Sequence, residues 1–163
     1  ESQHRIESAI KSLGYFMPRN KVVVNLAPAD IRKEGSAYDL PIALCILSAS
    51  GQLKTETLEK YVIMGELSLD GDLRPIKGVL PIAIQSRKDS FTGFVLPQAN
   101  ANEAAIVNNL DILGVATLKE AIEFFEGNRT LQPLRVDTRE VFQNKANHYD
   151  SDFRDVQGQE NIK

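Results

Sequence analysis

Two histidines, one cysteine and no tryptophan leave few side chains for nucleophilic, metal or redox chemistry in these 163 residues. His4 opens an amphipathic helix and His148 sits in a polar tail, at opposite ends of the chain. Neither has Cys, Asp or Glu around it at ligand spacing, so both read as solvated bystanders and no zinc site is expected. Cys45 lies in the run Leu40–Ala49 (LPIALCILSA), apolar on nearly every face. A free cysteine there behaves as a small hydrophobe. A nucleophilic thiolate would need exposure and a basic partner, so core filler is the expectation. No P-loop, GxGxxG or GxSxG is present to hold nucleotide phosphates or to present a serine.

Three stretches remain. Asn25–Pro41 (NLAPADIRKEGSAYDLP) runs a polar, glycine-containing loop into a helix N-terminus, whose unpaired N–H groups and positive dipole end favour anions. Arg32 and Lys33 add charge beside it and are the candidate contacts for DNA or another anion; a loop that merely caps a buried helix explains the same pattern. Gly65–Gly78 (GELSLDGDLRPIKG) reads as a hairpin followed by a turn, and that reading alone accounts for its glycines and its proline. Asp152–Gln159 (DFRDVQGQ) is polar with two apolar anchors, Phe153 and Val156.

The elements that must position these stretches follow from periodicity. Ile6, Ala9, Ile10 and Leu13 mark one helix face, with Gly14 as its C-cap. Lys21–Ala27 (KVVVNLA) is a continuous β-branched run, the pattern of a central strand covered on both faces. Asp39 is placed to cap the next helix, with Pro41 in its first turn, and a helix so uniformly apolar should be buried all round. Tyr61–Leu69 reads as a half-buried strand with Leu67 and Leu69 on one face, and Asp70-Gly71 as a type I′ hairpin turn into Asp72–Arg74. A helix over Val79–Arg87, a strand at Gly93–Pro97, a capping box opening a helix from Asn100 to about Asn108, and a strand at Asp111–Ala116 come next. A second capping box at Thr117–Glu120 starts a helix that ends by Gly127.

From Asn128 to Asp152 sustained periodicity is lost and polar residues dominate, as in a linker. The expected organisation is therefore an α/β domain at 1–127, a linker at 128–151 and the start of something further at 152–163. Nineteen basic and 22 acidic residues give a net charge of −3, without the strong basic excess of a dedicated nucleic-acid domain. One cysteine rules out a disulfide framework and favours a reducing compartment. No apolar run approaches the ~18 residues of a membrane span, and the N-terminus lacks a signal peptide. A cytoplasmic protein is expected. The missing initial Met and an end in mid-pattern suggest a piece of a longer chain.

Residues 25–44 (NLAPADIRKEGSAYDLPIAL), 65–84 (GELSLDGDLRPIKGVLPIAI) and 152–163 (DFRDVQGQENIK) together resemble the ComM/YifB family, the magnesium-chelatase-related AAA+ ATPases. The resemblance implies an N-terminal domain similar to the Lon protease and RadA C-terminal domains. That fold is the ribosomal protein S5 domain 2-like one, expected here as a two-layer domain with a mixed sheet that lacks its first strands. It further implies that 152–163 enters the ATPase module, with Val156 and Gly158 in the segment near the adenine, and that the Walker A loop follows Lys163. ATP and Mg would then belong to the full-length protein, with none expected in this fragment. A hexameric motor acting on DNA, in branch migration or recombination, is the implied setting.

The Lon likeness also raises a peptidase. Aligned on the Lon loop, Ala37 falls at the serine and Leu80 at the lysine, so both reactive groups are replaced. Ser36 and Lys77 lie near those positions, and the alternative function is a Lon-like serine–lysine peptidase that uses them. A shift of one residue turns a helical side chain by ~100°, which argues against that substitution and for a non-catalytic accessory domain.

Overall fold

The computed structural model describes residues 1–26 and 35–136. Its centre is built from two short apolar runs, β4 (Gly93–Pro97) and β5 (Asp111–Val115). They pair in parallel with Phe94 opposite Ile112 and Val95 opposite Leu113. β1 (Tyr61–Ile63) adds in parallel on the other side of β4, giving the order β1-β4-β5. Alternation along the strands sends side chains to both faces. Val95, Leu113 and Val115 join an apolar cluster with α1 (Ser2–Ser12), α2 (Asp39–Ala49) and α5 (Leu118–Phe125). Phe94, Leu96 and Ile112 join a second cluster with α3 (Val79–Lys88) and the short α4 (Ala101–Ala104).

The α/β class therefore stands. Among the described residues the three-stranded sheet is parallel, with apolar clusters on both faces. The antiparallel component is a separate ribbon, β2 (Glu66–Leu67) with β3 (Leu73–Arg74). Gly65 interrupts the predicted Tyr61–Leu69 strand because its backbone leaves the sheet to bond α2. Its N–H donates to the Ala37 carbonyl at 2.7 Å, and its carbonyl accepts the Leu40 N–H at 3.0 Å. Leu69 is consequently 47% exposed instead of sharing a face with buried Leu67.

The hairpin exists, with different turn chemistry. A type I′ turn needs positive φ at both central residues, yet only Gly71 of the Asp70-Gly71 pair has it, at +91°. Gly71 N–H donates to Ser68 O, and Ser68 N–H to Asp72 O, the pattern of a three-residue loop closed by a left-handed glycine.

Several local expectations hold. α1 ends where Gly14 takes φ +82° and donates to Lys11 O. Thr117 accepts the Glu120 N–H at 3.1 Å, while the Glu120 carboxylate accepts the Ala116 N–H. Others fail. The Asn100 helix stops after Ala104. Its amide is diverted into a clamp, accepting the Ile76 N–H and donating to the Ile76 carbonyl at 2.9 Å each, which leaves no cap for the helix.

Lys21–Leu26, the described part of the predicted central strand, is in no strand, and Val23 is 75% exposed. A β-branched run becomes a strand only where a continuous ladder forms, and residues 21–26 belong to neither sheet. The outer edge of β5, by contrast, is followed by residues 131–136, where Leu134 N–H donates to Ile112 O at 2.9 Å. Leu131, Leu134 and Val136 pack on the core, although composition alone assigns them to the linker.

Candidate functional site

The geometry converges on the entry to α2. Gly35 (φ +109°) turns the chain into a 3-10 turn, Ser36–Tyr38, that runs straight into α2. Two of the helix's N-terminal donors are consumed internally, Asp39 N–H by Ser36 O and Leu40 N–H by Gly65 O. The end of α2 that the sequence offers to an anion is thus largely closed by its own backbone.

Asp39 is fully buried, and it does not cap α2; Tyr38 stands at the cap position. Its carboxylate accepts Arg5 Nε at 2.7 Å, Arg5 Nη2 at 3.3 Å, the Ser2 hydroxyl and the Leu67 N–H at 3.3 Å. One side chain thereby joins α1, α2 and β2. The hydrogen bond to Asp39 pushes the Arg5 guanidinium further up from its ordinary value, against the opposing effect of burial. Burying a carboxylate is costly unless donors such as these reach it.

Beside it, the Ser36 hydroxyl donates to the Glu66 carboxylate, and Glu66 Oε1 lies 3.6 Å from Arg74 Nη1. Lys77 is exposed and, among the described residues, has no hydrogen-bond or ion partner. Ser36 is thus committed to a carboxylate, and no observation supports a serine–lysine pair. Ala37 and Leu80, at the positions aligned with the Lon serine and lysine, both pack against the second apolar cluster. Among the described residues no group of His, Cys, Asp and Glu is arranged to hold a metal ion.

Arg32 and Lys33 lie outside the described residues, as do Val156 and Gly158. Cys45 corrects the reading of α2 as buried on all sides. Its thiol is exposed, together with Ala49, on a face that looks away from both apolar clusters. Partial burial among neighbouring apolar groups still pushes its pKa up. Sequence reasoning missed Asp39, Glu66 and Asn100 as organising residues. Asp39 carried a misleading signal, since an acid before an apolar helix is the ordinary mark of a cap.

An α/β domain with a buried carboxylate tying three elements at the start of one helix is the class this geometry defines. Comparison with known proteins narrows it. The family model described as subunit ChlI of Mg-chelatase matches residues 1–100. Competence protein ComM of Haemophilus influenzae is 35% identical over 163 residues, 100% of this chain and 32% of its own length. YifB of Escherichia coli is 37% identical over 160 residues, 98% of this chain and 30% of its own. DNA repair protein RadA of Halalkalibacterium halodurans is 27% identical over 113 residues, 69% of this chain and 24% of its own. The chain belongs to the Mg-chelatase-related ChlI family that includes ComM and YifB, and it spans about a third of the length of these two relatives.

Among the described residues no helix is long and apolar enough to cross a membrane.

Proposed function

We propose that this chain is a non-catalytic accessory domain of a longer, magnesium-chelatase-related AAA+ ATPase that works on DNA as a hexamer in the cytoplasm. The observation that carries the reading is the alignment with a competence protein along all 163 residues. The weaker likeness to a DNA repair protein over 69% of the chain points the same way. In this reading residues 1–127 form a ribosomal protein S5 domain 2-like unit. Residues 128–151, of which 131–136 still pack on the domain, link it to an ATPase module that starts at 152. ATP and Mg bind to that module in the full-length protein, with Val156 and Gly158 beside the adenine. Arg32 and Lys33, which precede the α2 entry in the sequence, contact DNA phosphates.

DNA contact through a few surface cations is weak and falls with salt in proportion to the phosphates neutralised. Fluorescence anisotropy of labelled DNA titrated with this chain should show binding at low salt that vanishes at physiological salt. Arg32→Glu with Lys33→Glu should flatten the salt dependence by about 2 in log–log slope. Absence of binding even at low salt refutes DNA contact by this domain. Unstructured peptides should stay intact in its presence, and cleavage abolished by Ser36→Ala would establish the peptidase instead.

A further inference from the structure

Tyr15 and Met17 pack against the first apolar cluster, and Phe16 between them turns outward, 61% exposed. Among the described residues it is the one exposed phenylalanine or tyrosine. Its backbone is held from both sides. The Gln52 side-chain amide accepts the Phe16 N–H at 3.0 Å and donates to the Phe16 carbonyl at 2.9 Å. The same amide donates to the Ser50 hydroxyl at 2.7 Å, and the Gln52 N–H donates to Leu47 O in the last turn of α2. A ring in water is thus carried on a peptide anchored to the end of a helix. Arg19, Asn20 and Lys21 follow it, all exposed, and neither cation has a hydrogen-bond or ion partner among the described residues. Residues 14–26 contain no acid, in a chain whose net charge is −3.

We propose that Phe16 is a stacking platform for an unpaired base of single-stranded DNA, with Arg19 and Lys21 on the phosphates beside it. The proposal rests on the reading of this chain as part of a DNA-directed ATPase, and it adds a contact separate in sequence from Arg32 and Lys33. Three properties select the ligand. Every base has a π-face, so a ring held ready in water gains from stacking whatever the sequence of the strand. At most ~11 Å of chain separates Phe16 from Arg19, and ~18 Å from Lys21, so both cations reach phosphates of the stacked nucleotide or its neighbours. A duplex fits less well, because its bases already stack on one another and the ring would have to unstack a step to enter. A purely apolar protein partner would cover Phe16 but leave two unpaired cations without a counter-charge.

The chain holds no tryptophan, so Phe16→Trp turns the platform into its own reporter. Oligodeoxythymidylate titrated at low salt should quench that fluorescence, and a DNA duplex of equal length should leave it unchanged. By anisotropy of the labelled single strand, Phe16→Leu should weaken binding about fivefold or more, while Phe16→Tyr should hold it within about twofold. Arg19→Ala with Lys21→Ala should make the salt dependence shallower by about 1.4 in log–log slope, at ~0.7 per phosphate contact on a single strand. Gln52 grips the Phe16 backbone, so these exchanges keep the clamp. Should Phe16→Trp lose its far-UV circular dichroism, the comparison of leucine with tyrosine decides alone. Single-strand binding without quenching, or with equal affinity in Phe16→Leu, overturns the proposal and leaves the DNA reading intact. Equal quenching by the duplex overturns it too. So does quenching by an acidic, phenylalanine-containing peptide with none by DNA, which would assign the platform to a protein partner. Absence of any DNA binding at low salt refutes the DNA reading itself, and this contact with it.

Discussion

The first turn of α2 meets its partners within the chain: Arg5, Ser2 and the Leu67 N–H on Asp39, and the Gly65 peptide on Ala37 and Leu40. The outer face of the same helix, two turns on, leaves Cys45 and Ala49 open beside exposed valines. Both regions are built from residues that belong in an interior. The contrast teaches that interior character in the sequence specifies what must be covered, while the cover itself comes from elsewhere in the chain or from beyond it.

Breaking the closed end should cost most. Asp39→Ala leaves the Arg5 guanidinium, only 20% exposed, and the Leu67 N–H without their acceptor. Removal of one member of such a pair costs about 3 kcal/mol or more, which urea denaturation of the chain should show as a lower midpoint with unchanged slope. A loss below about 1 kcal/mol would mean that α1 is held to α2 by apolar packing alone.

Gly65→Ala should come next. A β-carbon there would lie 2.8 Å from Leu73 Cδ2 and 3.4 Å from Leu40 Cβ. The Leu73 terminus can move, so the cost is about 1–3 kcal/mol, read from the same midpoint. Larger damage would show that the Gly65 peptide itself shifts and releases the Leu40 N–H.

The open face gives the smallest effect and sharpens the contrast through pH. Burial disfavours the thiolate and raises the Cys45 pKa, so at neutral pH less of the group is reactive than in a free cysteine. Alkylation of this chain should accelerate through and above pH ~8.5, with a midpoint displaced upward from that of free cysteine. The raised value also means that any stability from the protonated thiol is present below the free-cysteine pKa and fades as pH rises through the folded one. A midpoint at or below ~8.5 would mean that this face is fully hydrated.

Much of the fold was legible where the signal was local. The Thr117–Glu120 box, the Gly14 stop and the apolar runs of β4 and β5 depend on neighbours in sequence, and they hold. What escaped depends on partners far along the chain. Asp39 reads as a cap until Arg5, 34 residues earlier, is brought to it. Asn100 reads as a helix start until Ile76 supplies a peptide to clamp. Lys21–Ala27 carries the composition of a central strand, and its described part lies in neither sheet, because strand formation depends on a ladder that composition does not encode. The candidate site was legible in outline only. The sequence singles out the α2 entry as a place for an anion, whereas its polar organisation comes from Glu66 and the Gly65 peptide, nearly 30 residues further along the chain.

We propose above that this domain serves a DNA-directed ATPase without catalysing a reaction of its own. DNA-stimulated ATP hydrolysis by the full-length protein, compared between the unmodified form and Arg32→Glu with Lys33→Glu, tests it most directly. An unchanged basal rate and a reduced stimulation by DNA are expected, with a salt dependence shallower by about 2 in log–log slope. Stimulation and salt dependence identical in the two proteins would contradict it.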